Sequence, residues 1–175
     1  ITIRVYTSRF IFIHQDSRYV YIRVCIYASR SIYITKILLI HQDLHKYRKN
    51  HICNPVIICG QESKLDESMK TNEIFPPPFQ DQVFRKDFKA GERGVFVAVK
   101  NDILASQIDN LNSSADAVWG KVEIKGARPL LVASVYRHTD NDPTSMEQLN
   151  STVERLNDTT PNAVISGDFN VPSVN

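Results

Sequence analysis

The chain has no glycine before Gly60, no proline before Pro55, no glutamate before Glu62 and no asparagine before Asn50. Those residue types serve turns and loops, so a stretch without them is poor material for a globular domain of its own. Acid is scarce there as well. Nine Lys/Arg stand against two Asp before residue 51, a balance of +7. The other twelve Lys/Arg against seventeen Asp/Glu give −5, and the two parts sum to the +2 of the whole. Cysteine is sparse too: Cys25, Cys53 and Cys59 are odd in number and have no C-x-x-C spacing. This argues against a disulfide framework or a structural zinc site, and it suggests a reducing, intracellular setting. Long hydrophobic runs are missing, because arginine interrupts the N-terminal apolar stretches every few residues. Neither a secretory signal nor a bilayer span is expected, and nothing marks a protein partner.

The break near residue 50 divides the 175 residues into two parts. Residues 1–50, rich in Ile, Tyr, Arg and Ser, read as a low-complexity or non-homologous basic segment. Ile-His-Gln-Asp occurs twice, at Ile13–Asp16 and Ile40–Asp43, too few copies for a repeat architecture. Tyr19 to Val24 alternates weakly, as a strand does, and Ile37 to Asn50 reads as a basic helix. A basic, aromatic arm on nucleic acid is the functional alternative for this part. His41 and His45 would share a helix face, but no acidic third ligand stands with them, since Asp43 points elsewhere on a helix.

From residue 51 onward the texture is that of a domain. Val56–Cys59 is a short apolar run ending in Gly60-Gln61-Glu62-Ser63, which predicts a buried strand opening into a loop. Phe75 to Arg93 reads as an irregular surface connection. Strands are predicted at Gly94–Lys100, Ala117–Ile124 and Leu130–Tyr136, the second with Trp119, Lys121 and Glu123 on an exposed face. Lys125 to Pro129 suits the connection between the last two. A helix follows, with Asp142 as cap, Pro143 in its first turn and Met146, Leu149, Val153 and Leu156 as its apolar stripe. Ala163–Ser166 forms a last strand running into Gly167-Asp168-Phe169-Asn170. Strands in meander order with one helix between them predict an α/β sandwich, two β-sheets flanked by helices.

Two acids, Glu62 and Asp168, stand immediately after apolar strands. Carboxylates there sit on a rigid scaffold yet reach solvent. That suits a hard divalent cation which keeps waters and takes phosphate oxygens as further ligands. An Asp, Glu and Asn set suits phosphodiester hydrolysis better than a closed zinc cage.

Three stretches carry a family resemblance. Asn54-Pro-Val-Ile-Ile-Cys-Gly-Gln-Glu-Ser-Lys64 resembles the strand and Q-E-[ST]-K element of the endonuclease/exonuclease/phosphatase family. Leu131-Val-Ala-Ser-Val-Tyr-Arg137 resembles its tyrosine strand, and Val164-Ile-Ser-Gly-Asp-Phe-Asn170 its G-D-[FL]-N element. Gly94–Lys100, Val118-Trp119 and Val135–Arg137 look most like the endonuclease domain of non-LTR retrotransposon polyproteins. The match spans residues 51–175, roughly the N-terminal half to two-thirds of such a domain. It implies a partial four-layer α/β sandwich that nicks DNA with Mg²⁺, or with Mn²⁺ in its place, in a setting that includes the nucleus.

By the same resemblance, Glu62 would be the metal ligand and Tyr136 would contact the scissile phosphate. Asp168 would position or deprotonate the attacking water, and Asn170 would orient phosphate and nucleophile. Lys64 reads as a solvated basic residue near the backbone-binding face. The family's upstream asparagine and its terminal S-D-H element have no counterpart here, and His138 reads as a local loop replacement. A catalytic set short of these members is expected to be inactive alone. Two alternatives remain open at this stage: a non-catalytic transposon remnant, and a phosphatase or phospholipase branch of the same family.

Overall fold

Val95, Val97 and Val99 alternate with Phe96 and Ala98 along one segment, and all five are buried. A strand covered on both faces belongs at the centre of a layered structure. The computed structural model describes residues 2–6, 10–14, 19–28, 31–41, 55–88, 93–111, 116–137, 143–159 and 162–169, with 2–41 as backbone alone. The strands are β1 (Thr2–Tyr6), β2 (Phe10–His14), β3 (Tyr19–Ala28), β4 (Ser31–His41), β5 (Ile57–Gln61), β6 (Val83–Asp87), β7 (Gly94–Val99), β8 (Ala105–Gln107), β9 (Asp116–Val122), β10 (Leu130–Tyr136) and β11 (Asn162–Asp168). Among the described residues the α-helices are a single turn, α1 (Thr71–Ile74), and the long α2 (Pro143–Thr159).

These strands form two sheets, one ordered β1-β2-β11-β10-β9-β8 and the other β3-β4-β5-β7-β6. Strand period decides which residues meet between them. Ile57, Cys59, Val95, Val97 and Val99 of the second sheet pack on Val118, Val122, Leu130, Val132, Tyr136 and Val164 of the first. The opposite face of the first sheet receives α2 through Leu149 and Leu156, which pack with Trp119, Leu131, Ala133 and Ile165. On the outer face of the second sheet, Phe75 and Phe79 join Leu65, Ile58 and Phe96. The result is a two-sheet α/β sandwich with covering layers on both sides. Each large apolar side chain buried this way contributes about 1.5–3 kcal/mol.

Several local expectations need correction. Trp119 is not on an exposed face: α2 and Leu111 cover that side, and its exposure is 1%. The connection from Phe75 to Arg93 contains strand β6 and two buried phenylalanines, because Phe75 and Phe79 seal the outer face. Strand order is not a pure meander, since β10 and β11 run parallel, joined through α2. Ile37 to His41 lies in β4 rather than in a helix, and residues 42–50 lie outside the described residues. The expected cap Asp142 lies outside them too, as does the site residue Asn170.

The first fifty residues enter both sheets. β2 pairs in parallel with β11, and β4 in parallel with β5. His14 closes β2 in register with Gly167, and His41 closes β4 in register with Gln61. Both copies of Ile-His-Gln-Asp therefore begin at the ends of strands that flank the residues discussed next.

Candidate functional site

Parallel strands end together, so residues that close β5, β10 and β11 gather at one end of the sandwich. Tyr136 and Asp168 are register partners on β10 and β11. Both point to the inter-sheet side, two residues beyond Ser134 and Ser166. Glu62 follows β5 on the facing sheet, and the Tyr136 hydroxyl donates to its Oε1 at 2.7 Å. Glu62, Tyr136 and Asp168, singled out in the sequence, are thus brought to one place. Tyr136 is 7% exposed, while Glu62 and Asp168 are half-buried. Burial first, then the hydrogen bond and charge of Glu62 and the charge of Asp168, hold the phenol well above its ordinary range. At neutral pH Tyr136 is therefore a donor.

The turn after β5 is bent to present Glu62. Glu62 and Lys64 have φ of 48° and 56°, left-handed values that cost a non-glycine residue about 1–3 kcal/mol each. Neighbouring contacts hold the turn in that shape. Ser63 N–H donates to the Gly94 carbonyl at 3.1 Å, and Arg85 Nη2 donates to the carbonyls of Asp66 and Met69 at 3.0 and 2.8 Å. Arg85 is itself oriented by Asp87 at 2.8 Å. Two glycines permit the close approaches. A Cβ on Gly60 would enter the Phe96 ring, and one on Gly167 would strike the Val135 carbonyl.

Beneath the three site residues lies a buried polar seam. Gln61, 1% exposed, donates from Nε2 to Ser134 Oγ at 2.8 Å and toward Ser166 Oγ at 3.4 Å. Ser134 in turn donates to the Gly60 carbonyl at 2.9 Å. One amide thereby ties together the three strands that carry Glu62, Tyr136 and Asp168. Its Oε1 has no hydrogen-bond partner among the described residues, an unusual expense for a buried amide. Cys59 joins the seam through Ser166; burial pushes its thiol up to about 12, so it is an inert neutral group.

The rim of the site contains residues that the sequence reading did not single out. Asp116 opens β9 in register with Tyr136, and Arg93 Nε lies 3.3 Å from its Oδ2. The guanidinium of Arg93 stacks over the Phe88 ring at 4.9 Å. Arg93 precedes β7 and Asp116 opens β9, strands antiparallel to β5 and β10 respectively, so both lie at the end at which β5 and β10 finish. The sequence shows only that each stands at the start of an expected strand; that the two meet depends on how the sheets face each other.

The oxygen-rich donors fit a hard cation that keeps part of its water shell. They do not form a closed cage: no cluster of three or more His, Cys, Asp or Glu able to hold a metal occurs among the described residues. An open site using one or two carboxylates, with the remaining positions left to water and phosphate, matches this donor set.

Among solved structures the chain is similar to the "Endonuclease domain of TRAS1, a telomere-specific non-LTR retrotransposon", with 17% identity and a TM-score of 0.54. The alignment covers 78% of this chain and 59% of that one. At this identity the likeness is one of fold. No protein-family model matches the chain, and no curated protein matches it.

Proposed function

We propose that this chain carries the metal-dependent phosphodiesterase site of a retrotransposon-type endonuclease, with DNA as substrate and a strand nick as product. The observation that carries the reading is the meeting of Glu62, Tyr136 and Asp168 at one strand end, with Tyr136 bonded to Glu62 at 2.7 Å. The fold shared with a retrotransposon endonuclease domain supports it. The incomplete motif set led to the expectation of an inactive chain; against it, the proposal takes the convergence of Glu62, Tyr136 and Asp168 as sufficient for slow nicking. Because the chain spans 59% of that neighbour, the activity of a whole domain is part of the proposal.

In this reading Glu62 holds Mg²⁺, or Mn²⁺ in its place, which when bound supplies positive charge to a phosphate oxygen. Tyr136, kept protonated by its surroundings, turns its hydroxyl from Glu62 toward a non-bridging phosphate oxygen. Asp168 accepts a hydrogen bond from the attacking water and aims it at phosphorus. Asn170 orients phosphate and nucleophile. The Gln61 amide fixes the spacing of the three strands so that these groups converge.

Supercoiled plasmid tests this directly. Relaxation of the plasmid should require Mg²⁺, stop in EDTA and fall by about 100-fold or more in Glu62→Ala. A folded chain that leaves the plasmid supercoiled in Mg²⁺, or an active Glu62→Ala variant, would sink the reading.

A further inference from the structure

Arg93 has a setting that a solvated surface arginine does not need. Its Nε faces a nearly buried carboxylate, Asp116, which is 8% exposed. Its flat face rests on Phe88, with Lys86 Nζ also 6.0 Å from that ring. These contacts use the inner edge and one face of the guanidinium. The two terminal nitrogens have no hydrogen-bond partner among the described residues, and the side chain is 37% exposed. An arginine whose Nε lies at ion-pair distance from a carboxylate and whose face rests on a ring has less rotamer freedom to lose than a solvated one. Its remaining fork is preset for the two oxygens of a phosphate.

Position relates this fork to the site. Arg93 adjoins Gly94, whose carbonyl accepts from Ser63 beside Glu62. Its anchor Asp116 is the register partner of Tyr136. Half-buried Lys86 adds a second positive charge on the same ring. The chain from residue 51 onward carries −5 in formal charge, so a paired cation beside the carboxylates is a local exception to the general balance.

We propose that Arg93 is a binding residue for a backbone phosphate of the nucleic-acid strand next to the scissile one, with Asp116 and Phe88 holding its fork in place. The proposal rests on the nuclease reading given above and names a subsite of it. Phosphate binding by a fork adds affinity and salt dependence and carries no base specificity.

The test is fluorescence anisotropy of a labelled DNA duplex in EDTA, over a salt series, with the full chain. Arg93→Met removes the guanidinium that faces buried Asp116, so it is combined with Asp116→Asn, and circular dichroism checks that the variants fold. In the double variant the dissociation constant should rise roughly tenfold, and the salt slope should fall by about 0.9, one phosphate contact. Arg93→Lys keeps the charge without the fork, so it should bind more weakly at nearly the parent's slope. Folded variants with the parent's affinity and slope overturn the proposal, and so does a parent chain that does not bind the duplex. Plasmid nicking is read in parallel. If it persists while Arg93 proves silent, the subsite falls and the nuclease reading stands.

Discussion

The Tyr136 hydroxyl, donated to Glu62 at 2.7 Å and enclosed by the sandwich, ionises above the ordinary value of 10.0. The folded state thus binds this proton more tightly than the unfolded chain does. Its stabilising contribution is fully present below pH of about 10 and is lost as pH rises through the raised folded value. In an alkaline titration followed by ultraviolet phenolate absorbance, one of the seven tyrosines should lag behind the others, and Tyr136→Phe should remove the lagging step. A single titration near pH 10 in both proteins would show that the hydroxyl is solvated and that the bond to Glu62 is absent in solution. The same replacement keeps the ring's packing and deletes only the donor. It should therefore slow nicking by about 10-fold or more while leaving the fold in place.

At the scale of strands, Gln61 is the element that holds the site's ends together, and volume and hydrogen bonding make separate contributions. Gln61→Leu keeps most of the volume and removes an amide whose Oε1 has no partner among the described residues, so its cost should stay within about 1 kcal/mol. Gln61→Ala opens a cavity between the sheets and should cost about 2–4 kcal/mol by denaturant unfolding. Equal losses in the two variants would mean that the bonds to Ser134 and Ser166 outweigh the packing.

Strands covered on both faces, such as Gly94–Val99, were legible as apolar runs, and the α2 stripe was legible by its period. The Trp119 face was not, because alternation tells only that two faces differ, not that a helix will cover the second. Strand β6 was hidden by its sequence, Val-Phe-Arg-Lys-Asp, in which charge stands where an edge strand meets solvent. Of the candidate site, Glu62 and Asp168 stood out as acids after apolar strands, whereas Tyr136 was marked only by the resemblance of its strand, Leu131–Arg137, to a known motif. Their mutual distances, Arg93 and the role of Gln61 depend on how the two sheets face each other, which no local pattern encodes.

For the molecule as a whole, the pairing of β2 with β11 and of β4 with β5 makes the first part of the chain a component of both sheets. Removing residues 1–41 would turn β11 and β5, two of the strands that carry the site, into bare edges. Exposed edges of apolar strands pair with other chains. The shortened protein should lose its cooperative unfolding transition and sediment as aggregates. A monomer that unfolds at the parent's denaturant midpoint would show that those four strands contribute nothing to the fold. No helix among the described residues is long and apolar enough to cross a membrane.

The claim on which everything else depends is that Glu62 and Asp168, 106 positions apart in the chain, act as one site. The nicking rates of Glu62→Ala, Asp168→Ala and the double variant measure this most directly. Members of one catalytic unit are non-additive, so the double variant should be no slower than the more damaged single variant. Losses that multiply, or a single variant that nicks at the parent's rate, would contradict a shared site.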